Sequence, residues 1–197
     1  LNGPHTVLSP VTYLSGVNIV RDACEHPVLG KYIHKVQFDE LMQTLNLPMD
    51  ELQKFASDVL ERFENPFVDH QVTSIMLNSF PKYETRDLPG VKVYLERKGE
   101  LPQGLVFGLA AIITYYKGGT RADGAPIQPQ DDQKIIDKLK ELWATGDTQK
   151  VAEGVLAFDY IWKEDLNKTV PGLTELVKKD LDLIQEKGML EAVKTIL

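Results

Sequence analysis

The stretch "LVFGLAAIITYY", Leu105–Tyr116, is the longest run of largely apolar residues in the chain, and its reading decides the fold. A helix needs about 20 apolar residues to cross a bilayer, so this run is too short to span one. It carries no polar face, and a helix that is apolar all round is enclosed by other elements rather than laid on a surface. Pro102 stands just before it, where a proline can open a helix. The expected centre of the molecule is therefore one buried helix wrapped by amphipathic ones.

The flanking sequence supplies those partners. On the N-terminal side, Val7, Leu8, Val11 and Leu14 repeat at helical spacing over His5–Ser15, with Pro4 acceptable in a first turn. A short helix is expected over Val17–Cys24, and further helical pattern over His26–Leu45. "PMDELQKFASDVLERF" reads as a helix with acids in its first turn and a stripe of Leu52, Phe55, Val59, Leu60 and Phe63. After the turn signal Asn65-Pro66, a helix carrying Val68, Val72, Ile75, Met76 and Ser79 is expected to end near Pro81. "DLPGVKVYLERKGELP" is preferred as a short helix over a strand. On the C-terminal side, Lys117–Asp132 reads as a long, mobile polar loop. Three helices and a short tail follow it, with Asp147 as an N-cap and Gly146 and Gly188 as C-caps. The fold class is all-α, multihelical, with little or no sheet.

Composition narrows the function. The 197 residues fit one domain, 43% hydrophobic and 26% charged, with a net charge of −7. No basic face offers itself to a phosphate backbone, so no nucleic acid partner is expected, and no membrane partner either. The single cysteine, Cys24, excludes an intrachain disulfide and favours a cytoplasmic setting; it reads as a small packed residue. The chain has no GxGxxG, no phosphate loop, no HExxH, no CxxC and no GxSxG. His26 and His34 lack a third ligand nearby, and no metal site is expected.

Chemistry must come from polar residues set oddly against the helical pattern. Asn2 and His5 are three apart at a helix start. A histidine orients hydroxyls and exchanges protons near neutral pH, and an asparagine amide can donate to an oxygen that gains charge. The structural alternative is a turn that caps a helix. Arg62, Asn65, Asp69, His70, Asn78, Lys82 and Arg86 are crowded into the next polar stretch. Lys82 and Arg86 are suited to clamp a carboxylate, one as a point charge and one as a fork, while Asn65 and Asp69 read better as capping residues.

"LNGPHTVLSPVTYLSG", "RFENPFVDHQVTSIMLNSFPKYETRDLP" and "GELPQGLVFGLAAIITYY" together resemble the C-terminal half of the mannitol dehydrogenase family, the polyol-specific long-chain dehydrogenases. The likeness is specific from Leu1 to about Tyr116 and looser beyond. Ser74 stands where that family's mannitol enzymes carry an arginine, which tips the resemblance towards the branch acting on sugar acids.

The resemblance implies a helical substrate domain over 1–197, like the C-terminal domain of 6-phosphogluconate dehydrogenase. A separate N-terminal Rossmann domain would bind NAD and pack on the Asn2/His5 face. The family's catalytic base is a lysine five residues before the asparagine, so the resemblance implies a C-terminal piece that begins inside the catalytic motif and is inactive alone. The implied reaction interconverts D-altronate and D-tagaturonate without a metal. Asn2 would stabilise the developing alkoxide and His5 would hold a neighbouring hydroxyl. Lys82 matches a family lysine near the substrate, and Arg86 is added here as a carboxylate partner. Fructuronate reduction and mannitol oxidation are the alternatives within the family. A helical interaction module without catalysis is the alternative outside it. The cut implies bare apolar side chains near Asn2, His5 and Asn65.

Overall fold

The computed structural model describes residues 3–197. Fourteen helical elements and one small hairpin follow in order: α1 Gly3–Leu14, α2 Val20–Glu25, α3 Leu29–His34, α4 Met49–Phe63, α5 Val72–Ile75, α6 Ser79–Arg86, α7 Leu88–Lys98, α8 Gln103–Tyr115, β1 Gly119–Thr120, β2 Pro126–Ile127, α9 Gln133–Trp143, α10 Thr148–Leu156, α11 Asp159–Trp162, α12 Leu166–Thr169, α13 Leu173–Lys187 and α14 Met189–Ile196. A π-helical turn, Lys35–Glu40, and a 3-10 turn, Leu41–Thr44, continue the path from α3. The fold is all-α apart from the two antiparallel two-residue strands.

The apolar run forms α8 as expected, buried from Gly104 through Ile113. It packs chiefly against α1 on one side and α13 on the other. The α1 crossing is close because residue 108 has no side chain: a Cβ on Gly108 would lie 2.4 Å from the Val7 Cβ. That crossing fixes α1, and with it the position of His5 two residues before Val7. The first turn of α8 is held from three directions. Glu40 accepts from the N–H groups of Gly104 and Leu105 at 2.7 and 2.8 Å. The hydroxyls of Tyr32 and Tyr83 donate to the carbonyls of Gly104 and Leu105. The orphan donors of a buried helix start are thereby paired with a carboxylate, which also suits the helix dipole.

Four expectations need correction. Residues 68–81 are not one helix. The chain runs extended to Gln71, makes the four-residue α5, and turns at Asn78, whose φ of 53° starts α6 afresh. Asparagine tolerates this left-handed conformation. Pro81 then sits in the first turn of α6, where its missing N–H costs no helical bond, so the helix runs on to Arg86 instead of stopping. Phe55 faces out, 42% exposed, and Ala56 takes its place in the buried stripe. The expected helix across Asp147–Trp162 breaks after Leu156, and Phe158 leads into the separate α11. The 117–132 loop is pinned rather than mobile. Arg121 donates to the Tyr13 carbonyl at 2.9 Å and to Asn18 Oδ1 at 2.8 Å, and its guanidinium lies over the Tyr13 ring.

Candidate functional site

The site is built where α1, α4 and α6 meet an extended strap, residues 64–71. Asn2 lies outside the described residues. His5, in the first turn of α1, is half-buried. Its ring packs on Phe63 at the end of α4, with centroids 4.0 Å apart, and meets the edge of His70 at 5.6 Å. Burial pushes the His5 pKa down to about 4, and the charges of His70 and Arg86 push the same way. His5 is therefore a neutral imidazole at pH 7, able to donate one hydrogen bond and accept another.

Lys82 and Arg86 lie one turn apart on α6. The Lys82 ammonium donates to the Ile75 carbonyl at 2.7 Å. Partial burial lowers its pKa, Arg86 adds to that, and Asp131 opposes it. The charge of Arg86 thus acts on both Lys82 and His5. Among the described residues, neither cation is in a salt bridge. Arg86 also shares a cleft with Gly3, Leu41 and Gly90. Arg86 thereby links the three described candidates, His5, Lys82 and Arg86, in one corner.

Beneath it lies Asp87. Its side chain is wholly buried, and neither carboxylate oxygen has a hydrogen-bond partner among the described residues. Burial raises its pKa well above the ordinary range, with Arg86 opposing. A Cβ on Gly3 would come within 2.9 Å of Asp87 Oδ1, so the carboxyl sits against the start of α1.

The strap is held from both ends. The Arg21 guanidinium donates to the Pro66 carbonyl at 3.0 Å and to Asp69 Oδ1 at 2.8 Å. Val20 N–H donates to the His70 carbonyl at 3.0 Å, and Val72 N–H to that of Asn18 at 2.9 Å. Asn65 Oδ1 accepts from Phe67 N–H at 2.9 Å. Asn65 thus closes a turn and Asp69 pairs with Arg21, and neither caps a helix as the sequence suggested. Phe67 and Val68 between them are 93% and 53% exposed, so apolar side chains are bare beside the site.

The remaining nominated residues have local duties. Ser74 Oγ donates to the Gln71 carbonyl. His26 Nδ1 accepts from the N–H groups of Val28 and Leu29, and His34 stacks on Phe38. Burial pushes the Cys24 thiol up to about 12, which suits a packed, unreactive residue. No three His, Cys, Asp or Glu side chains are grouped to hold a metal among the described residues. No helix among them is long and apolar enough to cross a membrane. Sequence reasoning gave Phe63 and His70 no role in the site. Phe63 read as one more core position, and His70 as one polar residue in a crowd.

The architecture and the sequence place the chain in a family. Residues 1–185 match the mannitol dehydrogenase C-terminal domain, and the chain belongs to that family. It is 80% identical over its whole length to an altronate oxidoreductase of Phocaeicola vulgatus and 79% identical to one of Bacteroides thetaiotaomicron. It is 40% identical to an altronate oxidoreductase of Escherichia coli O139:H28. The chain spans 41% of the length of each of these relatives. A Pseudomonas fluorescens mannitol 2-dehydrogenase, solved with NAD and D-mannitol, shares the fold over 99% of this chain and 38% of its own, with a TM-score of 0.83 at 19% identity. A D-sorbitol dehydrogenase solved substrate-free covers 98% of this chain and 38% of its own, with a TM-score of 0.79 at 22% identity.

Proposed function

We propose that this chain is the substrate-facing helical domain of an NAD-dependent oxidoreductase that interconverts D-altronate and D-tagaturonate in the cytoplasm. The names of its relatives support the reaction. The observation that carries it is the corner itself: a neutral imidazole beside a lysine and an arginine that make no salt bridge among the described residues. Such a corner suits a polyhydroxy acid. Arg86 and Lys82 attract and orient the carboxylate, the arginine as a bidentate fork. His5, held against Phe63, donates to or accepts from a hydroxyl next to the reacting carbon and keeps the substrate in line. Asn2 would stabilise the charged oxygen of the alcohol or ketone being interconverted.

The described residues do not fit a dinucleotide. Their only sheet is the two-residue hairpin, and no glycine-rich strand–turn–helix is present to receive a pyrophosphate. NAD, the two-electron acceptor in the altronate direction, is therefore assigned mainly to a separate nucleotide-binding domain. That domain would lie on the Asn2/His5 face, where Phe67 and Val68 are bare. The relatives' greater length leaves room for it.

The test is NADH oxidation by the longer enzyme with tagaturonate, fructuronate and fructose. Tagaturonate should be preferred, and H5A should cost about 100-fold or more, as positioned groups of this kind do. R86A should raise KM for the acids far more than for fructose. A preference for fructose, or indifference to R86A among acids, would overturn the substrate assignment.

A further inference from the structure

We infer that His70 is a substrate-contacting residue of this site, the second imidazole of a pair with His5, and that the strap exists to present it. This rests on the proposed sugar-acid activity and adds a specificity-determining residue to it.

The argument begins with the backbone. An exposed segment between a helix end and a four-residue helix has no reason of its own to be held in one place. This one is fastened along its length. Arg21 reaches across from α2 to the Pro66 carbonyl and to Asp69. The Asn65 side chain closes a turn onto Phe67 N–H. An isolated antiparallel bridge joins Ile19 to Gln71, and one of its hydrogen bonds is accepted by the carbonyl of His70 itself. The Arg21 guanidinium and the bridge thus hold the backbone on both sides of position 70, whose side chain is exposed.

That side chain is an imidazole, and it lies against the other imidazole of the site. The ring centroids of His70 and His5 are 5.6 Å apart with planes at 63°, while Phe63 covers His5 from a different direction at 4.0 Å. The two histidines differ in access. His5 is half-buried and neutral, whereas His70 meets solvent. An imidazole nitrogen at that place can hydrogen-bond a hydroxyl or a carboxylate oxygen, and a chain of adjacent hydroxyls, as in an altronate or tagaturonate, offers partners to both rings at once. A ring kept for packing alone would be as well served by phenylalanine, the residue already used at position 63.

The experiment separates these roles in the longer enzyme. H70A and H70F are assayed with tagaturonate and NADH, and imidazole titrations are followed by NMR. H70F keeps the ring against His5 and removes the hydrogen bonds. If His70 contacts substrate, both variants raise KM for tagaturonate about tenfold or more, leave KM for NADH within twofold, and H70N recovers part of the loss. H70A also moves the His5 titration up from about 4, because a neighbouring charge is gone. Wild-type kinetics from H70F with impaired H70A would show that the ring only packs, and would overturn the inference. Tagaturonate kinetics within twofold of wild type for both variants would overturn it as well. No turnover of either keto acid by the wild type would overturn the underlying reading and this inference with it.

Discussion

The surroundings of α8 and the corner around His5 are made by neighbouring helices, yet they treat polar groups in opposite ways. At α8 each buried polar group is met. Glu40 takes two backbone N–H groups, two tyrosines serve the carbonyls of the same turn, and the Trp143 indole donates to the Ile113 carbonyl. At the corner, Asp87 is buried without a hydrogen-bond partner among the described residues, Phe67 is 93% exposed, and neither Lys82 nor Arg86 forms a salt bridge among those residues. The α8 region is closed on itself, whereas the corner is the proposed place for something that binds. A ligand anion and a second domain are the proposed occupants.

Stability measurements should break this comparison first if it is wrong. Gly108→Val should have the largest effect, since even one added carbon meets Val7 at 2.4 Å. Overpacking typically costs about 1–3 kcal/mol and occasionally more; a Cβ this close to the Val7 Cβ puts this case beyond that range, and urea unfolding should find no folded protein. Next, Phe107→Ala should cost about 3–5 kcal/mol, because Phe107 is wholly buried. Phe67→Ala should stay within about 0.5 kcal/mol. Equal effects at the two phenylalanines would end the distinction between a closed core and an open corner.

His5 and Asp180 should also titrate in opposite senses. His5 has a pKa lowered from 6.5 to about 4 on folding, so the folded state favours its neutral form. Its contribution is present above pH 6.5 and is lost as pH falls towards 4, by about 3 kcal/mol at most. Asp180 lies on α13 against Gln103, and burial raises it from 3.8 to about 7. Its contribution is present below pH 3.8 and is lost as pH rises towards 7. Denaturant midpoints of H5F and D180N, measured across pH 4–8, should flatten the acid limb in the first and the neutral limb in the second. The same limb flattened by both would contradict the assignment.

Legibility in the sequence follows the same divide. The apolar run, the α7 segment and the capping residues Asp147 and Gly188 are local signals, and each appears where the pattern puts it, while Gly146 lies two residues past the C-cap Ala144. The misread segments are those decided by distant partners. Arg121 pins its loop through Tyr13, 108 residues away, and no local property of a Gly- and Pro-rich stretch announces that. Asn78 restarts a helix through its backbone angle, which spacing does not reveal. At the site, His5, Lys82 and Arg86 were nominated by residue type and resemblance. Phe63 and His70 join them only through contact with His5 across most of the N-terminal segment. Asp87 stayed hidden because an acid beside an arginine reads as an ordinary surface pair, whereas its burial depends on Gly3 lying against it.

Asp87 supplies the sharpest test of the corner. A buried carboxyl without a donor is a cost to the fold, not a contribution. Its pKa is raised by burial, so the folded state prefers it protonated. Its penalty is absent below about pH 4 and grows as pH rises. D87N removes the charge and keeps the shape. It should match wild type near pH 4 and exceed it by about 1 kcal/mol at pH 8 in thermal or urea unfolding of this chain. A residue with satisfied bonds would behave in the reverse way, since removing one partner of a buried pair costs about 3–5 kcal/mol. If D87N proves destabilising at pH 8, Asp87 has a donor and the corner is as complete as the core. If it proves stabilising here and damaging in the longer enzyme, the donor comes with the partner domain.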